Sequence, residues 1–199
     1  MEFLLTQWFK AGVSGPDAAL ADGGRRLARE IAAGDAQALE ELYRRHSREL
    51  FVYIYGRLGD RQLAEETLQD VMLAVWRGAG RFRADSSVRT WLFSIAHRRA
   101  LTALRKLPAR PAPDWVEEEL VSGEPGPVEW TVARRRAAAV QAALAQLPEH
   151  QRSVTELVYL HGLTGREAAR VLGVPVGTVK SRLNRALKAL EPLLMEVAR

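Results

Sequence analysis

The chain has 199 residues, no cysteine and a formal net charge of +5. Its length suits one large or two small domains, and an apolar content of 47% is enough to form packed cores, which excludes wholesale disorder. The lack of cysteine excludes disulfides, thiolate zinc sites and cysteine nucleophiles, and it fits a reducing cytosol. No segment approaches the ~18 apolar residues of a membrane span, and residues 1–10 lack the basic start of a secretory signal. We therefore expect a cytoplasmic protein without membrane insertion.

The charge is divided into blocks along the chain. Residues 1–29 carry +1, residues 30–76 carry −4, residues 77–107 carry +7, residues 108–130 carry −5 and residues 131–199 carry +6. Two basic blocks separated by an acidic one predict two anion-binding surfaces on separate modules. The alternative is that the charges merely solvate helix faces. That alternative predicts mixed signs within each block, yet Asp85 is the single acidic residue of 77–107.

Apolar residues recur at three- and four-residue spacing through most of the chain, which predicts an all-α fold. Three such stripes lie within residues 30–107 and predict a small helical bundle; they comprise Leu39, Leu42, Tyr43, Leu50, Phe51 and Ile54, then Leu63, Ala64, Leu68, Val71, Met72, Val75 and Trp76, then Trp91, Leu92, Ile95, Ala96 and Leu104. Residues 1–29 are expected to form an N-terminal extension, either floppy or locally docked. His97 is expected to be a surface or DNA-facing residue rather than a metal ligand, because no second ligand lies at helical spacing from it.

Residues 108–130 are typical of a flexible, acidic linker. They contain five prolines, which break helices and disfavour sheet interiors, and the acidic run Glu117–Glu119. Fully extended, a segment of this length reaches at most ~75 Å. The sequence therefore predicts a boundary between domain 30–107 and domain 131–199, with a first helix over 132–146 in the second.

The second domain contains the signals of a helix-turn-helix. Thr164 and Glu167 have the spacing of a capping box, which predicts a helix start. Gly173 suits the left-handed conformation that ends a helix, and Pro175 suits the start of the next one. A short helix, a tight turn and a second helix form a common DNA-reading unit.

The second helix of this unit divides into two faces. The stripe expected to be buried comprises Val176, Val179, Leu183, Ala186, Leu187 and Leu190. The opposite face carries donors for base edges and cations for phosphates; it comprises Lys180, Ser181, Asn184, Arg185 and Lys188, with Arg182 beside it. A merely solvated amphipathic helix is the alternative interpretation.

Together these residues resemble the bacterial sigma-70 factors, and most closely the small extracytoplasmic-function (ECF) group. The C-terminal resemblance lies in Leu147–Glu149, Gly162–Thr164 and Leu172–Arg182. The N-terminal resemblance lies in Ala64–Val71 with Trp76, in Arg81–Ser87 and in Thr90–Leu92. Val88 and Arg89 depart from the family, which often has an apolar or aromatic pair there.

The resemblance implies roles for both domains. Domain 30–107 would be sigma domain 2, which binds the clamp of the polymerase β′ subunit through Glu65, Glu66, Leu68, Gln69 and Asp70. It would also hold the −10 promoter element through Arg81, Phe82, Arg83, Asp85, Ser86, Ser87, Arg89, Arg98, Arg99 and Arg105. Domain 131–199 would be sigma domain 4, which contacts the flap of the β subunit and reads the −35 element through Thr178, Lys180, Ser181, Arg182, Asn184, Arg185 and Lys188.

On this reading the chain is a transcription initiation factor, not an enzyme, and it needs no cofactor or metal. Its partners would be core RNA polymerase, promoter DNA and an anti-sigma factor. Two alternatives remain open at this point. One is a helix-turn-helix regulator that acts without polymerase, and the other is a polymerase-binding adaptor that does not melt DNA.

Overall fold

A computed structural model describes residues 18–106 and 138–197 of the chain, with side chains described for 23–106 and 138–195. The first segment contains α1 (Ala18–Ala32), α2 (Ala36–Leu58), α3 (Arg61–Gly78), a 3-10 turn (Ala79–Arg81) and α4 (Val88–Leu104). The second contains α5 (138–145), α6 (Glu149–Thr155), a π-helical turn (Glu156–Leu160), α7 (Gly165–Leu172) and α8 (Val176–Val197). Within these two segments there is no strand, so the predicted all-α fold is confirmed.

Helices α2 and α3 are delimited by local capping chemistry. Asp35 accepts hydrogen bonds from the backbone N–H groups of Gln37 (2.8 Å) and Ala38 (3.2 Å) at the start of α2. Gly59 ends α2 with φ 65°, a left-handed conformation that glycine adopts without a steric penalty. Asp60 then caps α3 by accepting from the N–H of Leu63 at 3.0 Å. Only two residues therefore separate α2 from α3, and the two helices pack side by side.

Helix α1 belongs to the N-terminal bundle. Leu27, Ala28 and Ile31 are almost completely buried in its core. Gly24 lies so close to α4 that a Cβ atom at this position would meet the Cβ of Val88 at 3.1 Å. The helix runs through the boundary predicted after residue 29, and its apolar face is docked on the bundle. The rest of the expected extension, residues 1–17, lies outside the described residues.

The C-terminal helices share a small core of their own. Helices α5 and α8 meet there through Ala143, Leu144, Leu147, Ala186 and Leu190. Pro192 lies inside α8, which continues to Val197.

The linker expected over 108–130 lies outside the described part of the chain. The first residues of the helix expected over 132–146, including Arg134, Arg135 and Arg136, also lie outside it.

The two domains pack against each other through an apolar interface. Val154, Leu157 and Leu163 belong to the same cluster of buried side chains as the core of α2, α3 and α4. The buried face of α7 joins this cluster through Ala168, Ala169 and Val171. Hydrophobic burial of this kind is the main favourable term in folding and association. The sequence predicted two domains but not that they share a core.

Candidate polymerase and nucleic-acid interfaces

The helix-turn-helix forms as the sequence predicts. The Thr164 hydroxyl accepts from the N–H of Glu167 at 3.2 Å, and the Glu167 carboxylate accepts from the N–H of Thr164 at 2.9 Å. Gly173 ends α7 with φ 65°. The Pro175 carbonyl accepts from the N–H groups of Thr178 (2.9 Å) and Val179 (3.2 Å), which starts α8. The start and end of α7 and the start of α8 are thus each satisfied by local hydrogen bonds.

Helix α8 presents a polar, basic face to solvent. The exposed residues of this face are Lys180, Ser181, Asn184, Arg185 and Lys188, while Thr178 and Arg182 are half-buried at its margins. Val179, Ala186 and Leu190 are buried on the opposite side, as expected. Val176 was expected in that buried stripe and is instead 38% exposed, because it is the first residue of the helix and lies beside the turn.

A cavity of about 330 Å³ lies at the loop between the 3-10 turn and α4. Its walls combine cations, polar groups and two aromatic rings; they are Arg81, Phe82, Arg83, Asp85, Ser86, Trp91 and Arg170. The rings of Phe82 and Trp91 lie 5.0 Å apart and form one side of it. Ala84 has φ 58°, an uncommon conformation for a residue other than glycine. Ser87 ends the loop by capping α4 through the N–H of Thr90 at 3.1 Å. The loop is therefore a constrained, arginine-rich concavity.

The predicted cations of α4 fall into two groups. Arg98, Arg99 and Arg105 are exposed. Arg89 is half-buried, and its Nε donates to Glu49 at 2.8 Å while its guanidinium lies over the ring of Phe93 at 5.1 Å. Arg98, Arg99 and Arg105 are thus open to solvent, whereas Arg89 is held by Glu49 and Phe93.

His97 contradicts its expected surface position. It is 8% exposed, and its Nδ1 lies 2.7 Å from the Tyr53 hydroxyl. Burial lowers the pKa of His97 to about 3, and the positive charges of Arg57 and Arg98 add to this. The imidazole is therefore neutral and structural. The cause of the error is that His97 lies one turn from Phe93 on the buried side of α4.

The outer face of α3 carries the acidic residues predicted to meet polymerase. Glu65, Glu66, Gln69 and Asp70 are exposed, whereas Leu68 is only 5% exposed and lines the floor of a groove. The opposite wall of this groove comes from α2 and comprises Tyr43, Ser47, Arg48 and Phe51. Sequence reasoning placed Tyr43 and Phe51 in the buried stripe. The groove could have been predicted from the four-residue spacing of Tyr43, Ser47 and Phe51, which places them on one face of the helix.

Within residues 18–106 and 138–197, no cluster of three or more histidine, aspartate or glutamate side chains is placed to hold a metal ion. No helix in those segments is both long and apolar enough to cross a membrane.

Comparison with known families agrees with this arrangement. The model of Sigma-70 region 2 matches residues 42–109, and that of Sigma-70 region 4 matches residues 137–190. The first covers the loop and the α2–α3 groove, and the second covers the helix-turn-helix. The two matches therefore define a protein of the sigma-70 class, in which region 4, with the helix-turn-helix, follows region 2 along the chain.

Individual relatives identify the group within the sigma-70 class to which the chain belongs. The chain is 40% identical over 164 residues to the ECF RNA polymerase sigma factor SigM of Mycobacterium tuberculosis, a match that covers 81% of this chain and 80% of that protein. It is 36% identical over 160 residues to the ECF sigma factor RpoE of Cereibacter sphaeroides, covering 78% and 86% of the two chains. The chain belongs to the ECF RNA polymerase sigma factors, and its role is in transcription initiation with RNA polymerase.

A solved structure resembles both domains together. CnrH, in complex with the cytosolic domain of CnrY, superposes with a TM-score of 0.68 at 26% sequence identity. The superposition covers 87% of this chain and 98% of that one.

Proposed function

We propose that this sigma factor recognises a −35 element with α8, grips and opens a −10 element with the loop Arg81–Ser87 and α4, and binds the polymerase clamp with α3. The observation that supports the proposal is the pair of basic surfaces, one on α8 and one on the loop with α4. Each unit offers a different geometry: α8 is a convex helix, whereas the loop is a concavity. A convex helix suits the major groove of duplex DNA, and a concavity suits an unstacked base.

The loop supports strand opening on energetic grounds. Extruding a base from the duplex costs a few kcal/mol. Stacking on an aromatic ring returns roughly 1–3 kcal/mol per base, and Phe82 and Trp91 line the cavity at which a base would arrive. Arg81, Arg83 and the exposed arginines of α4 would bind the flanking phosphates. The polar groups of Asp85 and Ser86 would contact the base edge.

The clamp contact is proposed for the groove between α2 and α3. The exposed carboxylates of Glu65, Glu66 and Asp70 give one rim a negative charge, and Gln69 adds a neutral polar group. Leu68 and Phe51 supply an apolar floor and wall. A polar rim around an apolar floor is the usual anatomy of a protein interface. We further propose that domain 138–197 contacts the flap of the β subunit.

The test of the whole function is run-off transcription with core polymerase over a promoter library. The proposal expects transcripts that depend on both polymerase and this chain, on duplex templates as well as on templates melted beforehand. Activity on melted templates alone would contradict the opening role and would favour a polymerase-binding adaptor. Promoter binding without polymerase would favour an independent helix-turn-helix regulator.

The protein is proposed to act in the cytoplasm. An anti-sigma factor is a further proposed partner. The support is the likeness to CnrH, whose structure was solved with the cytosolic domain of CnrY. Because this chain has no cysteine, any thiol-based sensing would belong to that partner. Affinity purification from the native host tests this. A co-purifying protein that blocks holoenzyme assembly would support the proposal, and its absence under all growth conditions would contradict it.

A further inference from the structure

An exposed threonine lies among four cations at the end of α4. Thr102 is in the last turn of the helix, and its hydroxyl donates to the backbone carbonyl of Arg98 at 2.9 Å. Residues three and four positions apart on a helix are neighbours on one face. Both residues at these distances before Thr102 and both after it are basic; they form the α4 cation cluster, Arg98, Arg99, Arg105 and Lys106. One hydroxyl is therefore central to four positive charges.

The helical course continues through the second half of this cluster. Arg105 follows the last residue of α4 with φ −64° and ψ −20°, and its N–H donates to the Leu101 carbonyl at 3.2 Å. The N–H of Lys106 donates to the Ala103 carbonyl at 3.0 Å. Arg105 and Lys106 therefore remain on the helix face that carries Thr102.

The positive charge of the cluster is not balanced nearby. All four side chains are exposed, and α4 contains no acidic residue. In the part of the chain that the structure describes, none of the four pairs with a carboxylate. Like charges at these spacings repel one another, so an anion placed among them is stabilised by all four.

A phosphate ester is an anion that this cluster suits. At pH 7 it carries about −1.5 to −2 charges and three acceptor oxygens. Guanidinium groups bind phosphate oxygens through two parallel hydrogen bonds, and an ammonium group binds them as a point charge. The negative end of the helix dipole opposes a phosphate in the last turn, but it amounts to only about half an elementary charge. The cations of the cluster outweigh it.

We propose that Thr102 is a phosphorylation site for a serine/threonine kinase with an acidic substrate groove, and that its phosphate engages the α4 cation cluster in place of promoter DNA. In this step the Thr102 Oγ1 forms a bond to the γ-phosphorus of a nucleoside triphosphate, and the bond from that phosphorus to the bridging oxygen breaks. The nucleoside diphosphate leaves, and the kinase accepts the hydroxyl proton. The effect on DNA rests on the proposed function, which assigns the arginines of the cluster to phosphates beside the −10 element.

Two features make Thr102 an accessible acceptor. Arg98 and Arg99 lie four and three residues before it, where an acidic groove would recognise them by charge complementarity. The last turn of a helix also opens at a lower cost than its interior, and a kinase needs such opening to reach the backbone on both sides of the acceptor.

Ser47 has a similar sequence context but a different structural one. Arg44 and Arg45 lie three and two residues before it. However, Ser47 is half-buried in the middle of α2, and both arginines are paired with Glu41, at 2.5 and 2.6 Å. The structure therefore favours Thr102 over Ser47, which the sequence pattern does not.

Mass spectrometry of the full chain tests the site directly. The chain is incubated with magnesium ATP and a purified serine/threonine kinase that prefers arginine before its acceptor, and the phosphopeptides are mapped. We expect phosphate on Thr102, and a roughly tenfold lower yield there in Arg98→Ala with Arg99→Ala. Arg25→Ala with Arg29→Ala is the matched control, because it removes the same charge from exposed positions of α1.

Circular dichroism before the reaction checks that each variant is folded. Phosphate on Ser47 without phosphate on Thr102, or no phosphate on the chain at all, would overturn the proposal. Equal yields at Thr102 from the two double variants would overturn the recognition of Arg98 and Arg99.

Promoter binding by the holoenzyme tests the effect on DNA. Phosphorylation should weaken binding and reduce the slope of log affinity against log salt concentration by about 2, because the phosphate cancels nearly two cations. Thr102→Val has no hydroxyl to modify, so kinase treatment should leave its binding equal to that of the untreated parent. An unchanged slope in the phosphorylated parent would overturn the proposed competition with DNA.

Phosphorus NMR of the free, phosphorylated chain needs neither polymerase nor promoter. The second pKa of a phosphate monoester is about 6, and nearby cations lower it. We expect a lowered pKa for the phosphate on Thr102, and a value nearer to the ordinary one in Arg105→Ala with Lys106→Ala. An ordinary pKa in the parent would overturn the contact with the cluster. If the unmodified parent does not bind a promoter with core polymerase, the proposed function fails, while the mapping and the NMR titration still decide whether Thr102 is the site.

Discussion

The hydroxyl of Tyr53 and Nδ1 of His97 lie 2.7 Å apart in the core of the N-terminal domain. Tyr53 is 2% exposed, and its ring also meets His161 of the C-terminal domain at 5.2 Å between centroids. One aromatic side chain thus contacts α4 of its own domain and the segment between α6 and α7 of the other. Burial raises the pKa of the Tyr53 hydroxyl above its usual range, so the phenol stays protonated.

Tyr53→Phe should lower the free energy of unfolding by about 1–3 kcal/mol, because it leaves a buried ring nitrogen of His97 without its partner. Urea denaturation monitored by circular dichroism measures this. Tyr43→Phe is the matched control, because Tyr43 is 47% exposed and its substitution should change stability little. Equal effects of the two substitutions would contradict the role assigned to the buried hydrogen bond.

The two buried histidines should make the folded state sensitive to mild acid. The pKa of His161 is lowered to about 4, mainly by burial; the charges of Arg89 and Arg57 act in the same direction and Glu49 opposes them. Because the folded-state pKa values of His161 and His97 lie below the ordinary 6.5, the unfolded chain takes up protons first. Stability is therefore complete above about pH 6.5 and falls as the pH decreases towards 4.

Unfolding free energies at pH 7.5 and pH 5 would measure this loss. His161→Asn should reduce the difference between the two values, whereas His150→Gln, at an exposed position, should leave it unchanged. Glu49 and Glu167 also have lowered pKa values, but their contributions are lost only below the ordinary carboxylate value of 4.5. A pH profile that is flat between 7.5 and 5 would contradict the burial of neutral histidines.

Lys180→Ala with Arg185→Ala should weaken promoter binding by the holoenzyme and leave core-polymerase binding intact. Each lost base contact costs about 1–3 kcal/mol, and each lost phosphate contact reduces the salt slope by about 1. Filter binding at several salt concentrations measures both the loss of promoter affinity and the change in salt slope. Arg25→Ala with Arg29→Ala removes the same charge from exposed positions of α1 and serves as the control. Equal loss of both activities in the test variant would indicate misfolding.

Asp70→Arg with Gln69→Ala should weaken holoenzyme assembly, because it reverses a charge on the exposed face of α3. Fluorescence anisotropy of the labelled chain titrated with core polymerase gives the affinity. Glu40→Arg reverses an exposed charge on α2 and should have a much smaller effect. Unchanged affinity in the Asp70 variant would move the clamp contact elsewhere on the bundle.

The sequence predicted the features that depend on neighbouring residues. The capping box of Thr164 and Glu167, the left-handed Gly173 and the start of α8 after Pro175 are local, so each follows from a short segment. The exposed face of α8 followed from helical periodicity for the same reason. Val176 was misplaced because periodicity does not tell whether the first turn of a helix is covered.

Contacts between distant residues were not predictable in this way. Arg57 and Glu156 are 99 residues apart in sequence, and each looks like an ordinary surface charge in its own segment. His97 was misassigned because its burial depends on Tyr53, 44 residues earlier. Periodicity shows that a face is apolar but not what covers it, so the packing of one domain on the other was found only in the structure.

The close approach of Gly24 to Val88 connects the first described helix to the first turn of α4. A methyl group at Gly24 would meet Val88 at 3.1 Å, and Val88 begins the helix that also carries Arg89 and Thr90. A larger residue at position 24 requires Val88 to shift by a few tenths of an ångström, and with it the first turn of α4. The absence of a side chain at position 24 thus lets α1 lie this close to α4, and a substitution there would act on the placement of Arg89 and Thr90 through Val88.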